Sequence, residues 1–337
     1  MKRKEKINVN FIAGIPRSGT TLLLSMLNSV EQNMCIPEVP IALYLYNSHK
    51  NKKRFNKEDA SGILSLKSKL NYVRDLKIDK KYFFDETANC NTYKDFVKTA
   101  YLTILESSKK VEKIENIIDK NPVYTFYPET LLSIFPNAKF ILMARNPYAY
   151  VNSNIESVDS GKKVRSAAFY SLAFNKYADK ITRIHRKYSY QSLIIHYEDL
   201  VLEPELTMQK ICSFLSIDFD VEMLEFYNKS FNVKINSAEI SEFNKDRVKH
   251  RFDSLSKPVN TNRIESWKEK LSEDAIKTIS SITHKEAQNL GYTIENNKKN
   301  YSLNYLKSVL FIELYFYLTK YFYFLPIKLR EIYRIKI

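Results

Sequence analysis

The sequence FIAGIPRSGTTLLLSML, residues 11–27, joins an apolar run to a short turn containing glycine, and the turn to a second apolar run. The first run, within residues 7–13, predicts a β-strand, and residues 20–30 predict a helix with one apolar stripe. A turn of this kind between a strand and a helix is typical of a phosphate-binding loop, because backbone N–H groups at the start of the helix point at an anion. We therefore predict that this loop binds a phosphate group.

The loop departs from the usual phosphate-loop consensus at one position. Gly14, Gly19 and Thr21 match G-x-x-x-x-G-K-[ST], but Thr20 stands where that pattern has lysine. The missing lysine normally reaches the β- and γ-phosphates, so its loss argues against a triphosphate bound with magnesium. Arg17 supplies a cation within the loop, which suits a 5′-phosphate carrying one more anionic group. The structural alternative is an ordinary tight turn before a capped helix.

The rest of the chain alternates between predicted strands and predicted helices. Further strands are predicted at 113–120, 138–145 and 190–200, and helices at 54–75, 91–112, 125–134, 147–158 and 203–215. This alternation predicts an α/β fold of the P-loop type, in which helices flank both faces of a mostly parallel sheet. We place one domain over residues 1–297 and a hydrophobic, aromatic helical tail over residues 298–337.

A second phosphate site is predicted in residues 135–158, FPNAKFILMARNPYAYVNSNIESV. Arg145 ends a predicted strand, and Ser153 lies eight residues later in the following helix, so both side chains can approach one phosphate. Alternatively, Arg145 forms a surface ion pair and Ser153 is a solvated helix residue. Two separate phosphate sites describe a nucleotide that is phosphorylated at both ends of its ribose.

Composition limits the class of protein and the compartment. The chain has 337 residues, 44% of them hydrophobic, and Lys+Arg exceed Asp+Glu by 53 − 38 = 15. This excess favours polyanionic partners, although genome composition explains it equally well. The three cysteines, Cys35, Cys90 and Cys212, show no CxxC spacing, which argues against a disulfide framework and a zinc site. Since the N-terminus also lacks the apolar core of a signal peptide, we expect a cytoplasmic protein.

The segments GIPRSGTTLL (14–23) and FILMARNPYAYVNS (140–153) together resemble the sulfotransferase family, whose donor is 3′-phosphoadenosine 5′-phosphosulfate. The pattern is most similar to that of tyrosylprotein sulfotransferases and their bacterial relatives. Segments 119–126, 196–218 and 256–267 are also similar to theirs, and the resemblance covers roughly residues 8–293. It implies a single α/β domain and a reaction that needs no metal.

The resemblance also implies roles for particular residues. Glu38 would be the catalytic base, while Lys120 and Arg17 would neutralise charge on the leaving phosphate. The residues implied for donor binding are Pro16, Arg17, Ser18, Gly19, Thr20, Thr21, Arg145, Ser153, Tyr197 and Arg263. Alternatives remain for several of these: Glu38 as a solvated turn residue with His49 as the base, Lys120 as a surface lysine, and Tyr197 as a packing residue.

The acceptor is left open by the sequence. Pro40 stands where tyrosylprotein sulfotransferases carry an arginine that helps hold acidic peptides, and Ser266 replaces their lysine of the late loop. A peptide tyrosine, a sugar hydroxyl, a lipid head group and a small metabolite are all candidates. Two other functions compete: a P-loop small-molecule kinase, and a non-catalytic nucleic-acid-binding module. The dispersed basic residues argue against binding to nucleic acid.

The C-terminal segment 301–337 is dense in Leu, Ile, Phe and Tyr. Lys307, Glu313 and Lys320 interrupt it, so it is a poor candidate for a membrane span. Its basic end and its aromatic residues suit peripheral contact with the inner membrane face. Docking on the domain, or on a second copy in a homodimer, is the alternative.

Overall fold

The computed structural model describes residues 6–68, 79–105, 113–156, 165–228, 255–295, 303–322 and 325. The strands are β1 (Asn8–Gly14), β2 (Asn33–Pro37), β3 (Asn116–Lys120), β4 (Phe140–Ala144) and β5 (Ser192–His196). They form one sheet in the order β2-β3-β1-β4-β5, in which β1 and β2 both pair in parallel with β3. The predicted α/β fold with a mostly parallel sheet flanked by helices is confirmed.

Helices connect the strands. They are α1 (Thr20–Asn28), α2 (Ile41–Tyr44), α3 (Tyr46–His49), α4 (Lys57–Ser68), α5 (Lys80–Ala88), α6 (Tyr93–Leu105), α7 (Pro128–Ile134), α8 (Pro147–Glu156), α9 (Ala167–Lys187), α10 (Tyr197–Leu202), α11 (Pro204–Leu215), α12 (Trp267–Lys270), α13 (Glu273–Asn289) and α14 (Leu303–Phe322). Short 3₁₀ turns cover Pro122–Phe126, Ser189–Gln191, Val221–Met223 and Phe226–Asn228. The helical tail expected at the C-terminus is present as α14.

Most predicted elements appear with slightly shorter bounds, but the predicted strand 190–200 is wrong at its end, because residues 197–200 are helical in α10. Every residue of β3 and of β4 is buried, and β4 is an unbroken apolar run, FILMA, whereas β3, NIIDK, also buries polar and charged residues. The ring of Phe11 in β1 stacks on Phe140 in β4 with centroids 5.3 Å apart. Parts of the predicted helices 54–75 and 91–112 lie outside the described residues, at 69–78 and 106–112.

Several elements were not predicted, among them α5, β2, α9 and α13, and the last three have a clear physical reason. The strand β2 has only five residues and contains a proline, so its sequence gives little period-two signal. The helices α9 and α13 have one apolar face and many polar residues, and each begins at a serine cap, Ser166 and Ser272 respectively. They bury their apolar faces against each other.

The chain folds into two compact units. The first contains residues 1–12, 21–140 and 212–258, and the second contains residues 13–20, 141–211 and 259–337. Glu38 and Lys120 lie in the first unit, whereas residues 13–20 of the phosphate loop and Arg145 lie in the second. The boundary expected between residues 297 and 298 stays a prediction.

Candidate active site

Glu38 and Lys120 meet in the first unit at the carboxyl ends of two adjacent parallel strands. The strand register pairs Pro37 with Lys120, so Glu38 directly follows the end of β2 beside the last residue of β3. The Glu38 N–H donates to the Lys120 carbonyl at 2.7 Å, and Lys120 Nζ lies 2.6 Å from Glu38 Oε1. Carboxyl ends of parallel strands are where α/β proteins bind ligands. The two predicted catalytic residues are therefore in direct contact.

Burial and a third partner orient this pair. Lys120 is 1% exposed, whereas Glu38 is 30% exposed, so the lysine is held inside while the carboxylate reaches the surface. Lys120 Nζ also donates to Thr21 Oγ1 at 3.3 Å, in the first turn of α1. The backbone of Glu38 has φ +45°, in the left-handed region that non-glycine residues rarely adopt. Such an uncommon backbone conformation recurs at functional sites.

The buried carboxyl group of Asp119, which was not predicted from the sequence, lies next to Lys120 in β3. Asp119 is fully buried, and its Oδ2 accepts hydrogen bonds from the hydroxyls of Tyr101 and Tyr124, both at 2.5 Å. The Tyr124 hydroxyl also lies 3.4 Å from the carbonyl of Val39, the residue after Glu38. Burial raises the pKa of Asp119 to about 7, against the lowering effect of both tyrosines and of Lys120. An acidic residue directly after two isoleucines in a predicted buried strand was the signal available in the sequence.

The phosphate-loop backbone lies in the second unit and depends on its glycines. Gly14 has φ +119°, and a Cβ there would lie 2.2 Å from the Met143 carbonyl oxygen. Gly19 has φ +78°, and its Cβ would lie 2.6 Å from the ring of Tyr197. The Ile15 N–H donates to the Met143 carbonyl at 2.8 Å, which ties the loop to β4. The loop is thus built in a conformation that a side chain at either glycine would prevent.

Arg17 and Ser153 are brought together in this unit. Arg17 Nε donates to Ser153 Oγ at 3.2 Å, and Nη2 lies 3.4 Å from the Ser153 carbonyl. Arg17 itself has φ +65°. The sequence predicts Ser153 beside Arg145, whereas in the structure Ser153 contacts Arg17 and so links the loop to α8. The shared phosphate site of Arg145 and Ser153 stays a prediction.

Arg145 is the buried cation of the second unit. It is 4% exposed, and its Nη1 and Nη2 donate to the carbonyls of Arg17 (2.7 Å) and Arg263 (2.8 Å). Its guanidinium carbon lies 4.4 Å from the ring centroid of Tyr197, while its Nε is buried without a hydrogen-bond acceptor. Burial lowers the pKa of Arg145. A buried donor that lacks an acceptor beside a phosphate-type loop fits an anionic ligand.

The remaining predicted donor residues lie in the phosphate loop, except Arg263, which lies in a turn before α12. Pro16 and Gly19 are half-buried in the loop, Ser18 and Thr20 are buried, and Arg263 is exposed. The Ser18 hydroxyl donates within the loop, to the Ile15 carbonyl.

His49, the alternative base, is engaged elsewhere in the first unit. Its Nε2 lies 2.6 Å from Asp59 Oδ1, and its Nδ1 lies 2.7 Å from Ser48 Oγ. Asp59 is also bound by Lys52 and by the backbone N–H of Asn56, so the cluster secures the start of α4. Both ring nitrogens therefore have structural partners.

Glu198 is a second residue that was not predicted from the sequence. Its carboxylate accepts from the Asn146 N–H at 3.0 Å and from the Tyr292 hydroxyl at 2.9 Å, which fixes the residue after Arg145. The ring of Trp267 stacks on that of Tyr148, with the ring centroids 4.5 Å apart. Within the part of the chain that the structure describes, no group of three or more His, Cys, Asp or Glu residues could hold a metal ion.

Comparisons with known proteins agree with this geometry. The model of the sulfotransferase family matches residues 10–221. The protein-tyrosine sulfotransferase A of Caenorhabditis elegans is 26% identical over 301 residues, 86% of this chain and 69% of that protein. The protein-tyrosine sulfotransferase 1 of Danio rerio is 28% identical over 304 residues, 86% of this chain and 74% of that protein.

Solved structures show the same fold. The sulfotransferase domain of the Synechococcus PCC 7002 olefin synthase has a TM-score of 0.57 and 21% identity, covering 86% of this chain and 97% of that domain. The sulfotransferase domain of the curacin biosynthetic pathway has a TM-score of 0.54 and 20% identity, covering 86% of this chain and 99% of that domain.

The family match extends over most of the chain and includes the phosphate loop, the Glu38–Lys120 pair and the Arg145 segment. It replaces the kinase and nucleic-acid-binding hypotheses. The chain belongs to the sulfotransferase family: it is an enzyme that transfers a sulfuryl group from 3′-phosphoadenosine 5′-phosphosulfate to an acceptor hydroxyl.

Proposed function

We propose that this chain sulfates the phenolic hydroxyl of tyrosine in a peptide or protein acceptor. The observation that carries the chemistry is the contact between Glu38 and Lys120 at 2.6 Å. The acceptor class is supported by the curated relatives, which are named protein-tyrosine sulfotransferases and align with 86% of this chain.

Glu38 takes the acceptor proton in this proposal. Transfer breaks the bond between sulfur and the phosphate oxygen and forms one between sulfur and the acceptor oxygen, and the acceptor proton passes to the Glu38 carboxylate. A carboxylate is a weak base toward a phenol in water, but it serves when the proton leaves as the new S–O bond forms. Its partial exposure gives an acceptor access, while the buried Lys120 holds it in place.

Lys120 and Arg17 stabilise the charge that develops on the leaving phosphate. Lys120 contacts Thr21, the residue that follows the loop at the start of α1, so its cation lies at the helix end that favours anions. Arg17 lies in the loop itself. Positioned cations of this kind account for most of the catalysis in the related phosphoryl-transfer reactions.

The donor nucleotide is held by the loop and by the Arg145 segment. The backbone N–H groups of the loop, from Ser18 to Thr21, bind the 5′-phosphosulfate. Arg145 and Ser153 bind the 3′-phosphate, which would supply an acceptor to the buried Nε of Arg145. Arg263 adds positive charge beside them, and Tyr197 contacts the adenosine.

Acceptor selection should differ from that of enzymes that grip acidic peptides with an arginine. Pro40, which stands at that position, is buried and lies just before α2. We therefore expect the flanking acidic residues of a peptide to matter less for this chain.

The proposal is tested with radiolabelled donor and a matched set of acceptors. The set contains a tyrosine peptide with acidic flanks, the same peptide with neutral flanks, and a phenylalanine version as the blank. A simple sugar, a lipid head group and a small phenol complete it. We expect transfer to both tyrosine peptides and none to the phenylalanine version. Transfer to the sugar or the lipid head group, with none to either peptide, would contradict the tyrosine assignment.

The cytoplasmic compartment stays a prediction. All three cysteines are buried, which suits a protein that does not use them for disulfides. No helix among the described residues is long and apolar enough to cross a membrane. Fractionation of the native host, with the chain detected by antibody, is the direct measurement.

A further inference from the structure

The C-terminal helix α14 packs on α9 through one face. Ser308, Ile312 and Phe316 are buried there and recur every four residues. The ring of Phe316 meets that of Tyr177 edge to face at 5.7 Å, and Glu313 pairs with Lys176 at 2.5 Å. These contacts hold α14 in place within the second unit.

The opposite face of α14 is apolar and exposed. We call it the outer face and define it by Leu306, Leu310, Leu314, Tyr317 and Tyr321, which are 58%, 76%, 55%, 62% and 42% exposed. Their spacing of four, four, three and four residues places them along one line of an α-helix, turned away from Ile312. Contiguous exposed apolar surface of this kind marks an interaction site.

The outer face is bordered on α14 by Lys307 and by Glu313, whose carboxylate pairs with Lys176. Arg165 lies 4.0 Å above the ring of Phe311, beside that face. The chain after α14, residues 323–337, carries Lys328, Arg330, Arg334 and Lys336 against a single acidic residue, Glu331. Leucines with tyrosines on one side, followed by a basic segment, match the chemistry of an interface with anionic lipid.

A second copy of the chain fits this surface less well. Self-association through the outer face would bring together two chains that each carry a net charge of +15. Like charges held close together oppose association. An anionic lipid surface can bury the apolar face and attract the basic segment at the same time.

We propose that the outer face of α14 binds an anionic membrane surface, with its leucines in the acyl boundary and its tyrosines at head-group level. The helix lies in the plane of the membrane and does not cross it. This inference is independent of the acceptor proposed above, and it concerns a surface rather than the active site.

Co-sedimentation of the full chain with vesicles tests the proposal. One set of vesicles contains equal parts of phosphatidylglycerol and phosphatidylcholine, and the other contains phosphatidylcholine alone. The chain should pellet with the anionic vesicles at low salt and remain in the supernatant with the neutral ones. The double variant Leu310→Glu/Leu314→Glu should bind at least about tenfold more weakly, since each buried leucine contributes about that factor. Donor affinity and transfer to a soluble acceptor should stay unchanged in this variant.

The matched control is Leu202→Glu/Leu206→Glu, which makes the same change at two exposed leucines on α10 and α11. It should bind the anionic vesicles like the original chain. Three results would overturn the proposal: no pelleting with anionic vesicles at low salt, equal pelleting with neutral vesicles, or equal loss in both double variants. A dimer in light scattering that Leu310→Glu/Leu314→Glu dissociates, without vesicle binding, would assign the face to a second copy instead.

Discussion

Lys120 and Arg145 are both buried cations beside the ends of sheet strands, yet their surroundings differ. Lys120 is 1% exposed and touches the carboxylate of Glu38, whereas Arg145 is 4% exposed and donates to two backbone carbonyls. Burying a cation costs free energy unless a partner compensates it. Lys120 has its anion within the protein, while burial lowers the pKa of Arg145 and leaves its Nε without an acceptor. The comparison separates a region suited to proton transfer from one suited to binding an anion.

Removing the base should have the largest effect. Glu38→Gln keeps the shape of the side chain but not its basicity, so turnover should fall by roughly 10²–10⁴-fold. Steady-state transfer from labelled donor at saturating donor concentration measures it. His49→Ala serves as the control and should leave turnover close to that of the original chain, because His49 contacts Asp59 and Ser48. The opposite pair of results would make His49 the base.

Removing the buried arginine should affect nucleotide binding selectively. Arg145→Ala should lower the affinity for adenosine 3′,5′-bisphosphate by roughly 10- to 150-fold, the equivalent of about 1.5–3 kcal/mol for a charge-assisted hydrogen bond. The affinity for adenosine 5′-phosphate should fall much less, because this nucleotide lacks the 3′-phosphate. Calorimetric titration with both nucleotides measures the difference. Arg183→Ala, a change at an exposed arginine on α9, is the control. Equal losses for the two nucleotides would remove the 3′-phosphate role of Arg145.

The buried carboxyl group of Asp119 should make the free energy of unfolding depend on pH. Burial raises the pKa of Asp119 to about 7, so the folded chain keeps a proton that the unfolded chain has released above about pH 4. The free energy of unfolding should therefore fall as pH rises toward 7, by up to about 1.4 kcal/mol per pH unit from this group. Asp119→Asn removes the titration and should flatten the profile in urea unfolding. An unchanged slope would show that Asp119 does not titrate in this range.

The smallest effect is expected at Thr21. Thr21→Val removes the hydroxyl that Lys120 contacts at 3.3 Å, a neutral partner beside the stronger Glu38 contact. Turnover should fall by only about two- to tenfold, as expected for one ordinary hydrogen bond. Thr103→Val makes the same change at a buried threonine in α6 and should not alter turnover. A loss as large as that of Glu38→Gln would mean that the threonine has a larger role in the reaction.

Much of the fold could be predicted because β4 is one apolar run, FILMA, and β1 and β3 contain shorter ones, FIA and II. The five-residue β2, with its proline, gave no comparable signal, although it carries the residue that precedes Glu38. Motif spacing predicted the loop and Arg145, and the resemblance to the sulfotransferase family implied Glu38 and Lys120. It could not show that Ser153 contacts Arg17, because that depends on how α8 lies beside the loop. Asp119 was missed because its tyrosine partners lie 18 residues before it and five after it.

The division between the two regions is tested most directly by the dissociation constant of adenosine 3′,5′-bisphosphate for Glu38→Gln, measured by calorimetry beside Arg145→Ala. We predict that Glu38→Gln binds the nucleotide as tightly as the original chain while Arg145→Ala binds it at least about tenfold more weakly. Weakened binding by Glu38→Gln together with unchanged binding by Arg145→Ala would contradict the assignment of proton transfer to one region and nucleotide binding to the other.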